Sequence, residues 1–141
     1  MVGKVPKRNP RKGIDEYGRT KVHYAETSSE IEKLVNEGAD INLQDDNGWC
    51  PLHFYAQVNN AEAIQKALEL GADPNLTDSH GNGPLWTATM NSRGEYGCVV
   101  ALLKAGANPN LENKHGRSPI DMANTIQGGL DDIYAQYKKN A

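Results

Sequence analysis

Cysteine is scarce in this chain: Cys50 and Cys98 are the only two in 141 residues. They fall at different places in the pattern described below. No disulfide framework is read, and reduced thiols in a cytoplasmic protein are the direct interpretation. No apolar run approaches the roughly 18 residues of a membrane span. The start of the chain is basic, but no apolar stretch follows it, which argues against a secretory signal. No acidic residue precedes Asp15, although Lys4, Lys7, Arg8, Arg11 and Lys12 do. A phosphate-cradling glycine loop is missing, and so is any cluster with metal-ligand spacing. Hydrophobic residues make up only 38%. The length suits one domain, and a single globular core is not required of units that bury their apolar faces against neighbours.

Charge is unevenly spread. The whole chain carries −3, and setting aside the five early cations leaves ten basic against eighteen acidic residues, a net −8. An acidic body argues against nucleic acid on its faces. It favours a protein partner with a basic surface, through steering more than through affinity. Residues 1–14, with two prolines, two glycines and five cations, read as a flexible basic tail: a solvated leader, or else an arm for an acidic surface.

The rest is recurrence. Asp46-Asn47-Gly48-Trp49-Cys50-Pro51-Leu52-His53-Phe54-Tyr55-Ala56 is closed by Gly71-Ala72-Asp73-Pro74-Asn75. Gly18-Arg19-Thr20-Lys21-Val22-His23 precedes it. Gly81-Asn82-Gly83-Pro84-Leu85-Trp86 and Gly116-Arg117-Ser118-Pro119-Ile120-Asp121 follow it. The closing signature returns as Gly38-Ala39-Asp40-Ile41-Asn42 and Gly106-Ala107-Asn108-Pro109-Asn110. This T-P-L-H-x-A pattern, with its period near 33 residues, resembles the ankyrin repeat.

The units differ in detail. Thr20 to Gly38 is 18 residues against 21 from Cys50 to Gly71, so the first inner helix is short or its turn abbreviated. Thr20 is positioned to cap that helix. Ile31, Leu34 and Val35 form an outer-helix stripe, as do Ile64, Ala67 and Leu68, then Val99, Leu102 and Leu103, then Leu130, Ile133 and Tyr134. In the third unit Gly83 to Gly106 is 23 residues, and the extra length falls in a loop over 91–97. Ser118-Pro119 is a cap followed by a first-turn proline, and Gly128-Gly129 separates the last two helices.

The resemblance implies an all-α ankyrin-repeat solenoid: four helix-turn-helix units joined by β-hairpin-like loops. It covers residues 15–137, divided as 15–44, 45–77, 78–112 and 113–137, with the first and last units as caps and 138–141 as a polar end. It implies protein–protein recognition through hairpin tips and the inner-helix face, and carries over no catalytic residue. On the same mapping His23 and His53 are structural. Trp86 and Asp121 depart from that histidine, and Cys50 and Gly83 lack the threonine hydroxyl. Asn42, Asn75 and Asn110 map onto a site of asparagine hydroxylation in the family, although turn hydrogen bonding explains them more simply.

The candidate protein-binding residues are Arg19, Tyr24, Asp46, Asn47, Trp49, Phe54, His80, Asn82 and Thr87. Trp49 follows a turn glycine and is expected to point outward, where tryptophan serves as a binding anchor; the alternative is that it lies flat on the next loop. Tyr24, Phe54, Thr87 and Met122 share the position after the motif histidine, which the resemblance places on the concave face; intra-repeat packing is the alternative. Trp86 reads as core filling. His80 and His115 precede turn glycines on adjacent tips, and two exposed histidines do not make a zinc site. Metal, cofactor and catalytic residues are therefore none, and no enzyme is read, since the histidines are explained by repetition.

The sequence thus points to a protein that binds and masks another protein. Small ankyrin proteins of this kind resemble bacterial partners of toxins or enzymes, which makes an immunity or inhibitor protein the leading specific expectation. It would be a monomer when free and would contact neither nucleic acid nor membrane. A non-inhibitory adaptor is the alternative.

Overall fold

A computed structural model describes residues 13–139, with side chains to Tyr137. The basic tail read at 1–14 lies almost wholly outside the described residues, and so do Asn140 and Ala141.

Each unit opens with a hairpin, and one side chain closes it. Asp15, Asp45, Asp78 and Asn113 each accept two backbone N–H groups through Oδ1, from the residues two and four positions on, at 2.8–3.1 Å. This is the local bonding for which Asp and Asn favour turns. Neighbouring hairpins are joined by one backbone bond each: Asp46 N–H to Tyr17 O, Ser79 N–H to Asn47 O and Lys114 N–H to His80 O, at 2.9–3.0 Å. Gly48 sits at the closest approach. Its φ is 81°, and an added Cβ would lie 2.8 Å from the Asp78 Cα, so only glycine fits.

The inner row consists of a 3-10 helix, Lys21–Tyr24, followed by α2 (Pro51–Gln57), α4 (Pro84–Met90) and α6 (Pro119–Ile126). The outer row is α1 (Ser28–Asn36), α3 (Ala61–Glu69), α5 (Gly97–Lys104) and α7 (Leu130–Lys139). The shortened first unit therefore shows as a four-residue 3-10 turn in place of an α-helix. Three inner helices begin with proline, whose missing N–H is not needed in a first turn. Three outer helices end alike. Ala39, Ala72 and Ala107 donate to Leu34, Ala67 and Leu102 at 2.9–3.0 Å, over glycines with φ of 94–103°, which is the Schellman closure. The third unit's helices are separated by the loop expected at 91–97, with Arg93 and Gly94 at positive φ.

Thr20 stands at the start of the turn in a capping box with His23, and its hydroxyl lies 3.2 Å from the His23 Nδ1. The His23 Nδ1 accepts the Thr20 N–H at 2.9 Å, and His53 Nδ1 accepts the Cys50 N–H at 3.1 Å. An Nδ1 that accepts leaves the proton on Nε2, which donates to Leu43 O at 2.8 Å in one case and Asn82 O at 2.9 Å in the other. Each histidine thus fixes its own helix start and reaches across to the next loop. Asp121 does the first of these jobs in the last unit, accepting the Ser118 N–H at 2.9 Å.

Along each row, successive helices pack on one another, and inner helices pack on outer ones. Leu52, Tyr55, Ala56, Ile64, Ala67, Val99, Leu102, Leu130 and Tyr134 are almost fully enclosed between them. Burying a large side chain of this kind contributes roughly 1.5–3 kcal/mol. Tyrosine hydroxyls tie units together inside that core: Tyr55 donates to Val22 O, and Tyr134 pairs with Thr89. Among the described residues no strand forms and no helix is long and apolar enough to cross a membrane.

Candidate functional site

The second oxygen of the Asp45 and Asp78 carboxylates faces the preceding unit. Arg19 Nε donates to Asp45 Oδ2 at 2.9 Å, and Trp49 Nε1 donates to Asp78 Oδ2 at 3.0 Å. In the next interval Asn113 Nδ2 donates to Asn82 Oδ1 at 3.0 Å. One position in each hairpin thus pairs with the first position of the next. Asp45 and Asp78 are buried, and three N–H donors each make that burial tolerable.

This rung decides where Trp49 lies. The ring is half-buried, stacked on His53 at 5.3 Å and edge-on to Phe54 at 5.1 Å. The expected free, outward ring is corrected: the indole N–H needs an acceptor, and Asp78 supplies one, so the ring folds onto the next unit. Thr87 is corrected as well. With 6% exposure it is closed over by its neighbours, because a short side chain at this position does not reach past the helix surface as Phe54 does. Trp86 departs from core filling in the opposite sense. It is half-buried and lines a surface hollow, with no hydrogen-bond partner for its indole N–H among the described residues.

Arg19, Tyr24, Trp49 and Phe54, named separately in the sequence, come together. The Arg19 guanidinium lies 5.0 Å from the ring centroids of both Tyr17 and Phe54, within cation–π range. It also donates to the Tyr24 hydroxyl at 3.3 Å, which donates in turn to Asp15 Oδ2 at 2.9 Å. Tyr24 is tilted over Phe54 at 6.0 Å and is 51% exposed. Burial alone would raise the Asp15 carboxyl, but the N–H groups of Arg19 and Tyr17 outweigh it and hold it below its ordinary value. Burial pushes both His23 and His53 below the ordinary imidazole value, which keeps them neutral.

Two hollows flank this cluster, the first between hairpin tips and inner helices and the second by the C-terminal ends of the first two inner helices. One, of about 370 Å³, is lined by Asn47, Trp49, His80, Asn82, Thr87 and Trp86, among others. The other, of about 170 Å³, is lined by Tyr24, Phe54 and Val58, and Gln57 borders both. Asn82 is partly committed elsewhere, since its side chain bonds Asn113. Asp46 lies at the second tip, half-buried, and its backbone N–H binds Tyr17 O at 2.9 Å.

Sequence reasoning overlooked Tyr17, Asp45, Asp78, Gln57, Val58 and Met90 here. The two aspartates were marked by recurrence, as first residues of D-x-x-G at 15, 45 and 78. The large hydrophobics with high exposure, Tyr24, Val58, Met90 and Ile126, all lie along the inner row. Exposed apolar side chains recurring along one row mark a contact surface. Among the described residues no group of three or more His, Cys, Asp or Glu side chains is placed to hold a metal ion.

A family model of ankyrin repeats, in three copies, matches residues 23–113. The chain belongs to the ankyrin-repeat family. A comparison with curated proteins finds no match. Ankyrin repeats are protein–protein interaction modules, typically without catalysis of their own, and this chain carries such a module. The asparagines of the closing signature serve the stack. Asn42 donates to Gly71 O at 3.3 Å and accepts from Asp73 N at 2.7 Å. Asn75 repeats this with Gly106 and Asn108 at 3.1 and 2.8 Å.

Proposed function

We propose that this ankyrin-repeat protein masks a partner protein with a basic surface, in the manner of an immunity or inhibitor protein. The observation that carries the reading is the grouping of Arg19, Tyr24, Trp49 and Phe54 beside the exposed Val58 and Met90, on one side of an acidic stack. Aromatic and arginine side chains held rigidly beside apolar ones are the composition of interface hot spots. The outer helices carry Glu30, Glu32, Glu62 and Glu69, which would draw a basic partner in at low salt without lying in the contact itself. On this reading Asp46, Asn47, His80 and Asn82 form the polar edge of the contact. The protein acts as a cytoplasmic monomer, with neither nucleic acid nor membrane as its target.

The test is to isolate the partner by its complex with the native chain, then assay that partner's activity with and without saturating ankyrin-repeat protein. Loss of activity in the complex supports masking. Full activity in a saturated complex overturns it in favour of a non-inhibitory adaptor.

A further inference from the structure

In the first interval of the stack the chain uses its own cation. The Arg19 guanidinium lies against the rings of Tyr17 and Phe54 at 5.0 Å and bonds Asp45 of the next hairpin at 2.9 Å. The second interval has the matching carboxylate, Asp78, and two aromatic walls, Trp49 and Trp86, but among the described residues no lysine or arginine lines its hollow. Thr87 stands where the preceding unit has Phe54, so the space stays open at about 370 Å³.

Trp86 is the second sign. It stands where His23, His53 and Asp121 accept the N–H of their helix start. An indole nitrogen accepts nothing, so the α4 start is left without that bond. Trp86 is therefore not explained by the stack. Its face lines the hollow together with Met90 and Gln57. Asp78 uses three lone pairs, for the N–H groups of His80 and Asn82 and the Trp49 indole, and a carboxylate offers about four.

We propose that this hollow receives an arginine side chain of the partner protein. The guanidinium stacks on the Trp86 and Trp49 faces, and its N–H groups point at the open lone pair of Asp78 and the Gln57 amide oxygen. Arginine fits better than lysine because a planar cation stacks on an indole while keeping its donors in plane. The assignment rests on the basic-partner reading above and names the side chain that reading would use.

The chain has two tryptophans, so its two indole N–H signals in a heteronuclear NMR spectrum report on the hollow directly. The probe is N-acetyl-arginine amide, and its neutral isostere, the citrulline amide, is the control. Both indole signals are expected to shift saturably, with arginine bound at least about tenfold tighter than citrulline. Trp86→His restores the residue of the first two units and keeps Trp49 as reporter; it is expected to lose that preference, and so is Thr87→Phe, which fills the space. No saturable shift, an equal response to citrulline, or an undiminished response in a folded Trp86→His variant overturns the proposal. If arginine amide fails while partner capture by Trp86→His equals that of the native chain, the hollow is excluded and the protein-binding reading stands. If arginine binds as expected but the isolated partner presents no basic surface, the hollow stands and the reading of the partner falls.

Discussion

Trp49 shows most clearly what one residue does here. It links two units through Asp78, covers His53 and abuts Phe54, so its removal costs a charge-assisted hydrogen bond and a stacked ring. Trp49→Ala is expected to lower stability by about 2 kcal/mol, measured by urea unfolding. Tyr24→Ala, at a half-exposed ring, should leave the midpoint nearly unchanged; a larger loss from Tyr24→Ala than from Trp49→Ala would contradict the placement of both. The two buried histidines give a pH dependence. Their folded values lie below the ordinary 6.5, so as pH falls through about 6.5 the unfolded chain takes up protons first. Stability is full above that pH and declines below it. The melting temperature should be level at mildly alkaline pH and fall as the solution is acidified past 6.5, more shallowly in His53→Gln. An unaltered slope in that variant would mean that His53 is protonated in the fold.

Among the elements, the turn between α6 and α7 stores strain. Gln127 ends α6 with φ 60° and ψ −133°, a region that glycine enters freely and other residues enter at a cost. Gln127→Gly should therefore stabilise the protein by about 1 kcal/mol, and a loss on thermal melting would show that the side chain contributes more than the strain costs. Most elements were legible in the sequence because each has a local cause: first-turn prolines at 51, 84 and 119, glycines that close the outer helices, and apolar stripes such as Val99, Leu102 and Leu103. Three missing residues left a short inner helix or an abbreviated turn, and the 3-10 turn at Lys21–Tyr24 is the first of these. What was not legible lies between units. Where Trp49 points is set by Asp78, 29 residues on, and a linear pattern does not say which of two acceptors or which face a ring will choose. The hollow beside Thr87 and Trp86 was hidden for the same reason, since it exists only once adjacent hairpins are stacked.

At the scale of the whole molecule, the stack has two unlike sides. The outer row presents Glu30, Glu32, Glu62 and Glu69, and Lys66 lies 3.1 Å from Glu69 and 3.9 Å from Glu32 at the surface. Exposed pairs of that kind add little to stability. The inner row presents Tyr24, Val58, Met90 and Ile126, which gain nothing by facing water. The stacked repeats hold these side chains on one row, so the partner meets a rigid surface and little ordering is lost on binding. The most direct measurement is hydrogen exchange of the ankyrin-repeat protein with and without its isolated partner. The account predicts added protection in the hairpin tips around Arg19, Trp49 and Asn82 and in the segment from Phe54 to Asn59, with α1, α3 and α5 unchanged. Protection confined to those outer helices would contradict it.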